Sequence, residues 1–300
     1  MFDQGQLYFI VVGAIFLMIV SSVIGFISRL IEKKRVQKLE EISKSIGFSY
    51  SKQEDGTIPN NTHYPYLFSH GHDQKAWNII GNETKNGDLI KIFDYEYTEG
   101  SGRRRSRYDQ TICLFSSRQI DLPAFRLRPD IRDLNMSNKF GFRLFALIFR
   151  VMFWPFGRSI WKFIIQRANK PTYEGYEDID FESNPDFSDH YRLTGKLDAE
   201  QPLHSNEGKV RNIFNKNVLD FYEKNVGICT EAMDKTLIYY RHDKRVSPEN
   251  IEGFLKEGIK VLSLFTTSQL AKGESQQVHS QNGPPGHSHY YVLGFPLGLQ

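Results

Sequence analysis

Three side chains of the types that bind zinc lie close together in the sequence: His70, His72 and Asp73. Imidazole and carboxylate groups are zinc ligands, and a zinc ion with an open position activates water for hydrolysis. The spacing, even with His63 included, matches no closed zinc-ligand set, and the sequence has no HExxH motif. The simpler interpretation is that these side chains bind no metal. A metal-assisted hydrolase that uses them is kept as an alternative function for the protein.

Four arginines follow a Gly-Ser-Gly sequence within segment 98–107: Arg103, Arg104, Arg105 and Arg107. A guanidinium group presents a rigid fork of donors that fits phosphate or carboxylate oxygens. The segment is therefore a candidate binding site for the anionic headgroups of a membrane or for an acidic protein. The alternative is a solvated hairpin tip that repulsion between its own charges keeps open.

An aromatic and basic segment covers residues 140–170. Its charges are too frequent for a typical membrane span, and Pro155 would kink a helix. One interpretation is a helix lying in the inner leaflet, with basic residues at anionic headgroups and tryptophans at the interface. A buried hydrophobic hairpin with outward-pointing arginines and a second membrane span are the alternatives. The candidate membrane contacts in this segment are Arg143, Arg150, Trp154, Arg158, Trp161 and Lys162.

Other familiar catalytic patterns do not occur in the sequence. It has no GxSxG, no Walker loop and no GxGxxG that opens a helix. The alternating carboxylates Asp178, Asp180 and Glu182 fit an exposed strand face more readily than an acid–base pair. Cys113 and Cys229 lie in apolar contexts typical of core cysteines. We therefore predict a binding or scaffold role with no catalytic residues and no cofactor.

The elements that would position these groups begin with an apolar N-terminal segment. No charged residue occurs between Gln4 and Ser28, and residues 7–28 would form a helix of roughly 33 Å, enough to cross a ~30 Å hydrocarbon core. A signal peptide is the alternative, but its apolar core is shorter and its positive charge comes first. Here Asp3 precedes the apolar segment and the positive charges follow it. The sequence thus predicts a retained transmembrane helix.

Basic residues after this segment predict its orientation. No Lys or Arg precedes it, and positive residues are enriched on the cytoplasmic side of membrane helices. The short N-terminus is therefore predicted outside and the C-terminal domain in the cytoplasm, which agrees with a sequence that contains two cysteines. The basic residues that carry this prediction are Arg29, Lys33, Lys34, Arg35 and Lys38.

Short strands that alternate with single helices predict an α+β fold, with a mainly antiparallel sheet after the N-terminal transmembrane helix. Strand patterns at residues 77–81 and 89–97 flank an Asn-Gly turn signal. Residues 122–130 are expected to form an edge segment, because prolines lie near both ends. In strand 89–97, the side that carries Phe93 and Tyr95 is the expected core face.

Amphipathic patterns predict three helices after the membrane segment. They cover residues 29–46, residues 206–224 and a region capped by Ser247, where Pro248 fits the first helical position. Residues 181–193 are expected to form short strands around a turn. The predicted organisation is 1–6 outside the membrane, 7–28 across it, 29–46 as a juxtamembrane helix, 64–139 and 171–267 as two parts of the α+β domain, 140–170 as a membrane-interface segment and 268–300 as a disordered tail.

Composition limits the class of partner. The 300 residues include 38 Lys plus Arg and 35 Asp plus Glu, which give a net charge of +3. A strongly basic nucleic-acid binder is thereby excluded as the default, and no nucleic acid is expected as a partner. The 40% hydrophobic fraction is typical of a folded domain. The expected partners are the lipid bilayer and, as a further option, a protein.

Four blocks of the sequence are distinctive: IKIFDYEYTEGSGRRRSRYDQTICLFSS, LPAFRLRPD, YEDIDFESNPDFSDHYRLTG and LIYYRHDKRVSPENIEGFL. Together they resemble a family of uncharacterised single-pass bacterial membrane proteins. The resemblance implies a bacterial origin and N-terminal anchoring in the cytoplasmic membrane. It brings no reaction, cofactor or catalytic residue, and it does not extend to the aromatic-basic segment or the C-terminal tail.

Overall fold

A computed structural model describes residues 4–53, 65–84, 87–130, 176–196 and 204–277. A nine-stranded antiparallel sheet organises this part of the chain. The sheet and the helices packed against it confirm the predicted α+β class. Its strands lie in the order β1-β2-β3-β4-β9-β8-β5-β7-β6. The strands are β1 (Ser49–Ser51), β2 (His72–Glu83), β3 (Leu89–Glu99), β4 (Ser106–Ser116), β5 (Leu122–Pro129), β6 (Tyr176–Asp178), β7 (Tyr191–Lys196), β8 (Cys229–Asp234) and β9 (Thr236–Tyr240).

The helices of the described residues pack mainly on one side of this sheet. Short 3₁₀ turns at Tyr66–Phe68, Gly102–Arg104 and Pro248–Asn250 complete the regular structure. The α-helices are α1 (Gln4–Ser45), α2 (Pro185–His190), α3 (His204–Ile213), α4 (Lys216–Lys224) and α5 (Ile251–Gln277).

Both faces of the central strands are buried, whereas the sequence predicted one core face. On the first, here called the helical face, Ile92 and Phe115 pack in one cluster with Leu39 of α1 and Leu255 of α5. On the second, the aromatic face, Phe93, Tyr95 and Ile112 pack with Leu67 and Phe68 of the 3₁₀ turn. Alternation along a strand shows that two faces differ, but it does not show that each has a covering layer.

Helix α1 extends without interruption as far as Ser45, which confirms the predicted helix at residues 29–46. Its C-terminal part belongs to the domain, because Leu39 and Ser43 are buried and Gly47, at φ +74°, turns the chain into β1. No helix that could span a bilayer is found among the residues whose side chains the structure describes. The described side chains of α1 do not include those of residues 4–14, 16, 17 and 21, which form part of the predicted segment 7–28.

The predicted helix at residues 206–224 is two helices in the structure. α3 ends at Ile213 and α4 begins at Lys216, with Asn215 between them in an extended conformation. The Asn215 side chain accepts a hydrogen bond from Val218 N at 3.1 Å, which caps α4. The break lets Phe214 remain buried against Phe125 of β5, at a ring-centroid distance of 5.0 Å. The sequence pattern is continuous here because both helices turn their apolar sides to one core.

Two further local predictions were wrong. Residues 185–190 form α2, not a strand, because Pro185 fits the first helical turn and the short helix buries Phe187. β5 lies between β8 and β7, not at a sheet edge. Its Pro123 coincides with a register shift between Leu122 and Phe125, where the missing backbone N–H interrupts no ladder bond.

Two predicted segments reach beyond the described residues. The aromatic-basic segment 140–170 lies outside them. Helix α5 continues to Gln277, and residues 278–300 of the predicted disordered tail also lie outside.

Candidate functional site

The direction of α1 relative to the sheet decides which part of the domain faces the apolar N-terminal helix. Arg35 of α1 bonds Asp94 of β3 at 2.9 Å, and α1 then leads through Gly47 into β1. Ser49 of β1 pairs with Gly81, which lies opposite Lys91. Along α1 the chain therefore passes from the level of Asp94 towards the beginning of β3. Its N-terminal half extends past the opposite end of the sheet, where β3 finishes.

The tip of the β3–β4 hairpin lies at that same end. Measured along α1, Ser28 lies ~10 Å beyond Arg35 at 1.5 Å per residue. Measured along β3, Gly100 lies ~20 Å beyond Asp94 at 3.4 Å per residue. Projected on the axis of α1, the tip therefore lies at or beyond the level of Ser28 whenever the angle between α1 and β3 is below about 60°.

The tip is the predicted arginine segment, and its backbone geometry is closely constrained. Gly100 has a φ of +75°, and a Cβ there would lie 2.5 Å from the carbonyl oxygen of Arg104. The Arg104 side chain is exposed. Arg105 pairs with Asp73 at 2.7 Å, and Arg107 pairs with Glu96. The side chain of Arg103 is outside the described set.

Other exposed cations lie at this end of the sheet. Three are on α1 near the end of the uncharged segment, and Lys244 follows β9, where its carbonyl oxygen accepts from Thr111 N at 3.1 Å. These cations and the arginines of the tip belong to the same end of the sheet as the N-terminal half of α1. We call this set the basic rim: Arg29, Lys33, Lys34, Arg104, Arg105, Arg107 and Lys244.

A buried cluster of charges fixes α1 to the sheet beside the rim. The carboxylate of Asp94 is 1% exposed and accepts from two guanidinium groups, Arg35 at 2.9 Å and Arg245 at 2.7 Å. It also accepts from Thr111 Oγ1 at 2.7 Å and Asn78 Nδ2 at 3.0 Å. Burial by itself would raise the pKa of Asp94, but the two guanidinium groups outweigh it and hold that pKa below its usual value. We call these residues the Asp94 cluster.

Arg245 extends the Asp94 cluster to two more carboxylates. It bonds Glu32 of α1 at 3.1 Å and lies 3.7 Å from Asp109. One oxygen of Asp109 is buried and has no hydrogen-bond partner within the described residues. Burial, with the neighbouring charge of Asp94, raises the pKa of Asp109 to about 6 despite the attraction of Arg245.

The structure does not bring the predicted metal ligands together. His70 bonds Glu99 and Tyr66, and Asp73 is paired with Arg105 in addition to a 3.8 Å contact with His72. In the part of the chain that the structure describes, no three His, Cys, Asp or Glu side chains are grouped to hold a metal ion.

On the aromatic face, a buried ion pair joins β5 to β8. Arg126 Nε lies 2.9 Å from Glu231 Oε1, and Glu231 is 0% exposed. Glu231 also accepts from the Tyr240 hydroxyl and from Leu67 N, each at 2.8 Å. This pair was not predicted from the sequence. The position of Glu231 within an otherwise mostly apolar strand sequence could have indicated a buried carboxylate that needs a partner.

The remaining predicted contacts lie outside the described residues, so the structure does not place them. They are Arg143, Arg150, Trp154, Arg158, Trp161 and Lys162.

Comparison with known proteins gives no independent identification. No protein-family model, no curated protein and no solved structure matches the chain.

Proposed function

We propose that the protein is a membrane-anchored binding module in which α1 crosses the bilayer and the basic rim contacts anionic headgroups. One observation carries the proposal: the arginine tip and the departing α1 lie at the same end of the sheet. A basic residue near an anionic membrane contributes about 1 kcal/mol of attraction. The tether makes each contact effectively intramolecular, so modest attraction is enough for stable docking.

Exposed apolar surface on α1 supports the membrane part of this proposal. Its side chains beyond the domain include Met18, 64% exposed, and Phe26, 62% exposed. A contiguous apolar surface of this kind needs a cover, and the uncharged sequence around it fits lipid. The large apolar side chains exposed on α1 are Ile15, Met18, Ile19, Val20, Val23, Ile24, Phe26, Ile27, Leu30 and Ile31.

Charge order supports the orientation. The basic residues of α1 follow the apolar segment, which favours a cytoplasmic domain and an N-terminus outside. With the resemblance to single-pass bacterial membrane proteins, we infer a location in the bacterial cytoplasmic membrane. An alkaline phosphatase fused to the C-terminus is then expected to be inactive, and an active fusion would reverse the orientation.

The headgroup contact is tested with a fluorophore at the tip of the full-length protein in lipid nanodiscs. A Ser101→Cys variant carries the dye, and an Arg118→Cys variant carries it just beyond the far end of β4 as the control. The native thiols are poor competitors, because burial raises the pKa of Cys113, and that of Cys229 to about 12. With a quencher attached to phosphatidylglycerol headgroups, we expect quenching at position 101 and little at 118.

Charge reversal distinguishes electrostatic contact from mere proximity. Arg104→Glu combined with Arg105→Glu is expected to reduce quenching at position 101 in phosphatidylglycerol nanodiscs. Arg118→Glu, an exposed arginine at the opposite end of the sheet, is the matched control and is expected to change nothing. Equal quenching at positions 101 and 118, or no response to the double reversal, would contradict the proposal.

A further inference from the structure

Three polar side chains form a continuous hydrogen-bonded chain at the edge of the aromatic face. The Tyr66 hydroxyl lies 2.7 Å from His70 Nδ1, and His70 Nε2 lies 2.5 Å from Glu99 Oε1. An ionised carboxylate accepts hydrogen bonds and does not donate them, so Nε2 carries the proton that Glu99 accepts. In the neutral imidazole, Nδ1 is then the acceptor for the Tyr66 hydroxyl.

This order of groups is that of an activated nucleophile. A hydroxyl is bonded to an imidazole base, and the base is oriented by a carboxylate, as in hydrolases that use serine. When the phenol proton moves to His70, Glu99 stabilises the imidazolium that forms. The hydrogen bond from His70 lowers the pKa of Glu99, which keeps that carboxylate ionised for this role.

The surrounding fold holds the three groups in place. Tyr66 begins the 3₁₀ turn whose Leu67 N bonds the buried Glu231 at 2.8 Å. At Gly71, φ is +73° and a Cβ would lie 2.4 Å from the carbonyl oxygen of Thr98, so glycine is required for this turn to approach β3. The His70 ring packs edge-on to Tyr97 at 5.7 Å. The relay is therefore positioned by buried contacts on both sides.

Charge and exposure at the phenol indicate what it would react with. The Arg126 guanidinium lies 4.7 Å from the centre of the Tyr66 ring and favours negative charge on it. The carboxylates of Glu99 and Glu231 lie beside the relay, and their negative charge disfavours a phosphate dianion and favours an uncharged electrophile. The side chains of His70 and Glu99 are 20% and 38% exposed and Tyr66 is half-buried, so the described residues leave part of the relay open to solvent.

We propose that Tyr66 is a nucleophile for acyl transfer from an uncharged ester, with His70 as its base and Glu99 as the positioning residue. The Tyr66 Oη–acyl bond forms as the ester C–O bond breaks. The phenol proton passes to His70 Nδ1, and the leaving alkoxide or phenoxide takes a proton from His70 or from solvent. This chemistry needs no metal and is separate from the membrane contact proposed above.

The probe for this site is p-nitrophenyl acetate, used on the full-length protein. Acetylation is followed by peptide mass spectrometry, and release of p-nitrophenolate by absorbance. We expect Tyr66 to be acetylated at least tenfold faster than Tyr108 and Tyr176, two other tyrosines on the aromatic face. Tyr66→Phe is expected to remove the fast phase of p-nitrophenolate release.

Variants of the relay separate activation from simple exposure. His70→Gln is expected to slow Tyr66 acetylation at least tenfold, and Glu99→Gln to slow it by a smaller factor. His72→Gln, two residues away and half exposed, is the matched control and is expected to leave the rate unchanged. Glu99 lies at a strand end and is partly exposed, so its variant tests the relay even if His70→Gln fails to fold. Acetylation of Tyr66 no faster than that of Tyr108, or an unchanged rate in Glu99→Gln, would overturn the proposal.

Discussion

At the scale of single residues, two aspartates near the same arginine have pKa values shifted in opposite directions, because their surroundings differ. Asp94 and Asp109 both face Arg245, at 2.7 and 3.7 Å. Two guanidinium groups hold the pKa of Asp94 low against the effect of burial, and two neutral side chains donate hydrogen bonds to the same carboxylate. Asp109 has a buried oxygen without a hydrogen bond in the described part of the chain, and its pKa rises to about 6. The number of donors that reach a buried carboxylate therefore decides whether its charge stabilises the fold.

This contrast predicts a pH dependence for Asp109. The unfolded carboxyl titrates near pH ~3.9, so between pH ~4 and ~6 the folded protein binds more protons than the unfolded protein. Stability contributed by Asp109 is therefore present at low pH and lost as the pH rises through about 6. In Asp109→Asn this loss disappears, so the variant gains up to about 1 kcal/mol over the native protein between pH 4.5 and 7.5, after allowance for partial exposure. Urea unfolding at the two pH values measures this, and an equal difference between the proteins at both would contradict it.

At the scale of elements, the Asp94 cluster joins segments that are far apart in the chain. Arg35 comes from α1, Asp94 from β3 and Arg245 from the segment after β9. Arg35 also donates to the carbonyl oxygen of Val246 at 2.7 Å, so one side chain connects the helix to β3 and to the segment after β9. A buried charge pair of this kind stabilises little relative to apolar packing, but losing one partner is costly. The cluster therefore fixes the position of α1.

Removing the central carboxylate tests this role. Asp94→Asn leaves two buried guanidinium groups facing a neutral amide, and we expect the free energy of unfolding to fall by about 3 kcal/mol. Trp77, whose ring lies 5.5 Å from the Arg245 guanidinium, gives a fluorescence signal close to the change. Glu252→Gln removes an exposed pair with Lys256 on α5 and is expected to cost no more than about 0.5 kcal/mol. Similar losses in the two variants would mean that the cluster does not hold α1.

At the scale of the whole molecule, α1 contributes to two parts of the structure. Its N-terminal half carries the exposed apolar side chains, whereas Leu39 and Ser43 in its C-terminal half are buried in the domain. The same rigid helix thus connects the apolar segment to the basic rim. In the proposed function, this continuity would orient the rim towards the membrane without a separate linker.

Two shortened chains test whether the C-terminal half of α1 belongs to the folded domain and the N-terminal half does not. A chain that starts at residue 29 keeps Glu32, Arg35 and Leu39, and we expect it to unfold cooperatively at a urea concentration close to that of the full protein. A chain that starts at residue 46 loses these contacts, and with Leu39 alone worth about 2–5 kcal/mol we expect severe destabilisation. Circular dichroism during urea unfolding gives the comparison. Equal stability of the two shortened chains would show that α1 is not part of the core.

Features that depend on residues close together in the chain could be predicted from the sequence. The helix at residues 29–46, the α+β class and the apolar segment with its basic flank follow from periodicity and charge order, which are local properties. The sequence pattern overstated the continuity of residues 206–224, since an apolar stripe does not reveal a capped break at Asn215.

Which polar groups meet depends on the tertiary fold and could not be predicted from the sequence. Arg35 and Asp94 are 59 residues apart, and Arg126 and Glu231 come from β5 and β8, which are neighbours in the sheet but not in the chain. In sequence each of these residues is a charged position with no visible partner, typical of an exposed site. Because both faces of the sheet are covered, these charged side chains are largely buried, and a buried charge is stable only beside an opposite charge or hydrogen-bond donors. The Tyr66 relay and the basic rim arise for a similar reason: chain pairing brings the segment before β2 to the end of β3, and the direction of α1 brings its cations to the same end of the sheet.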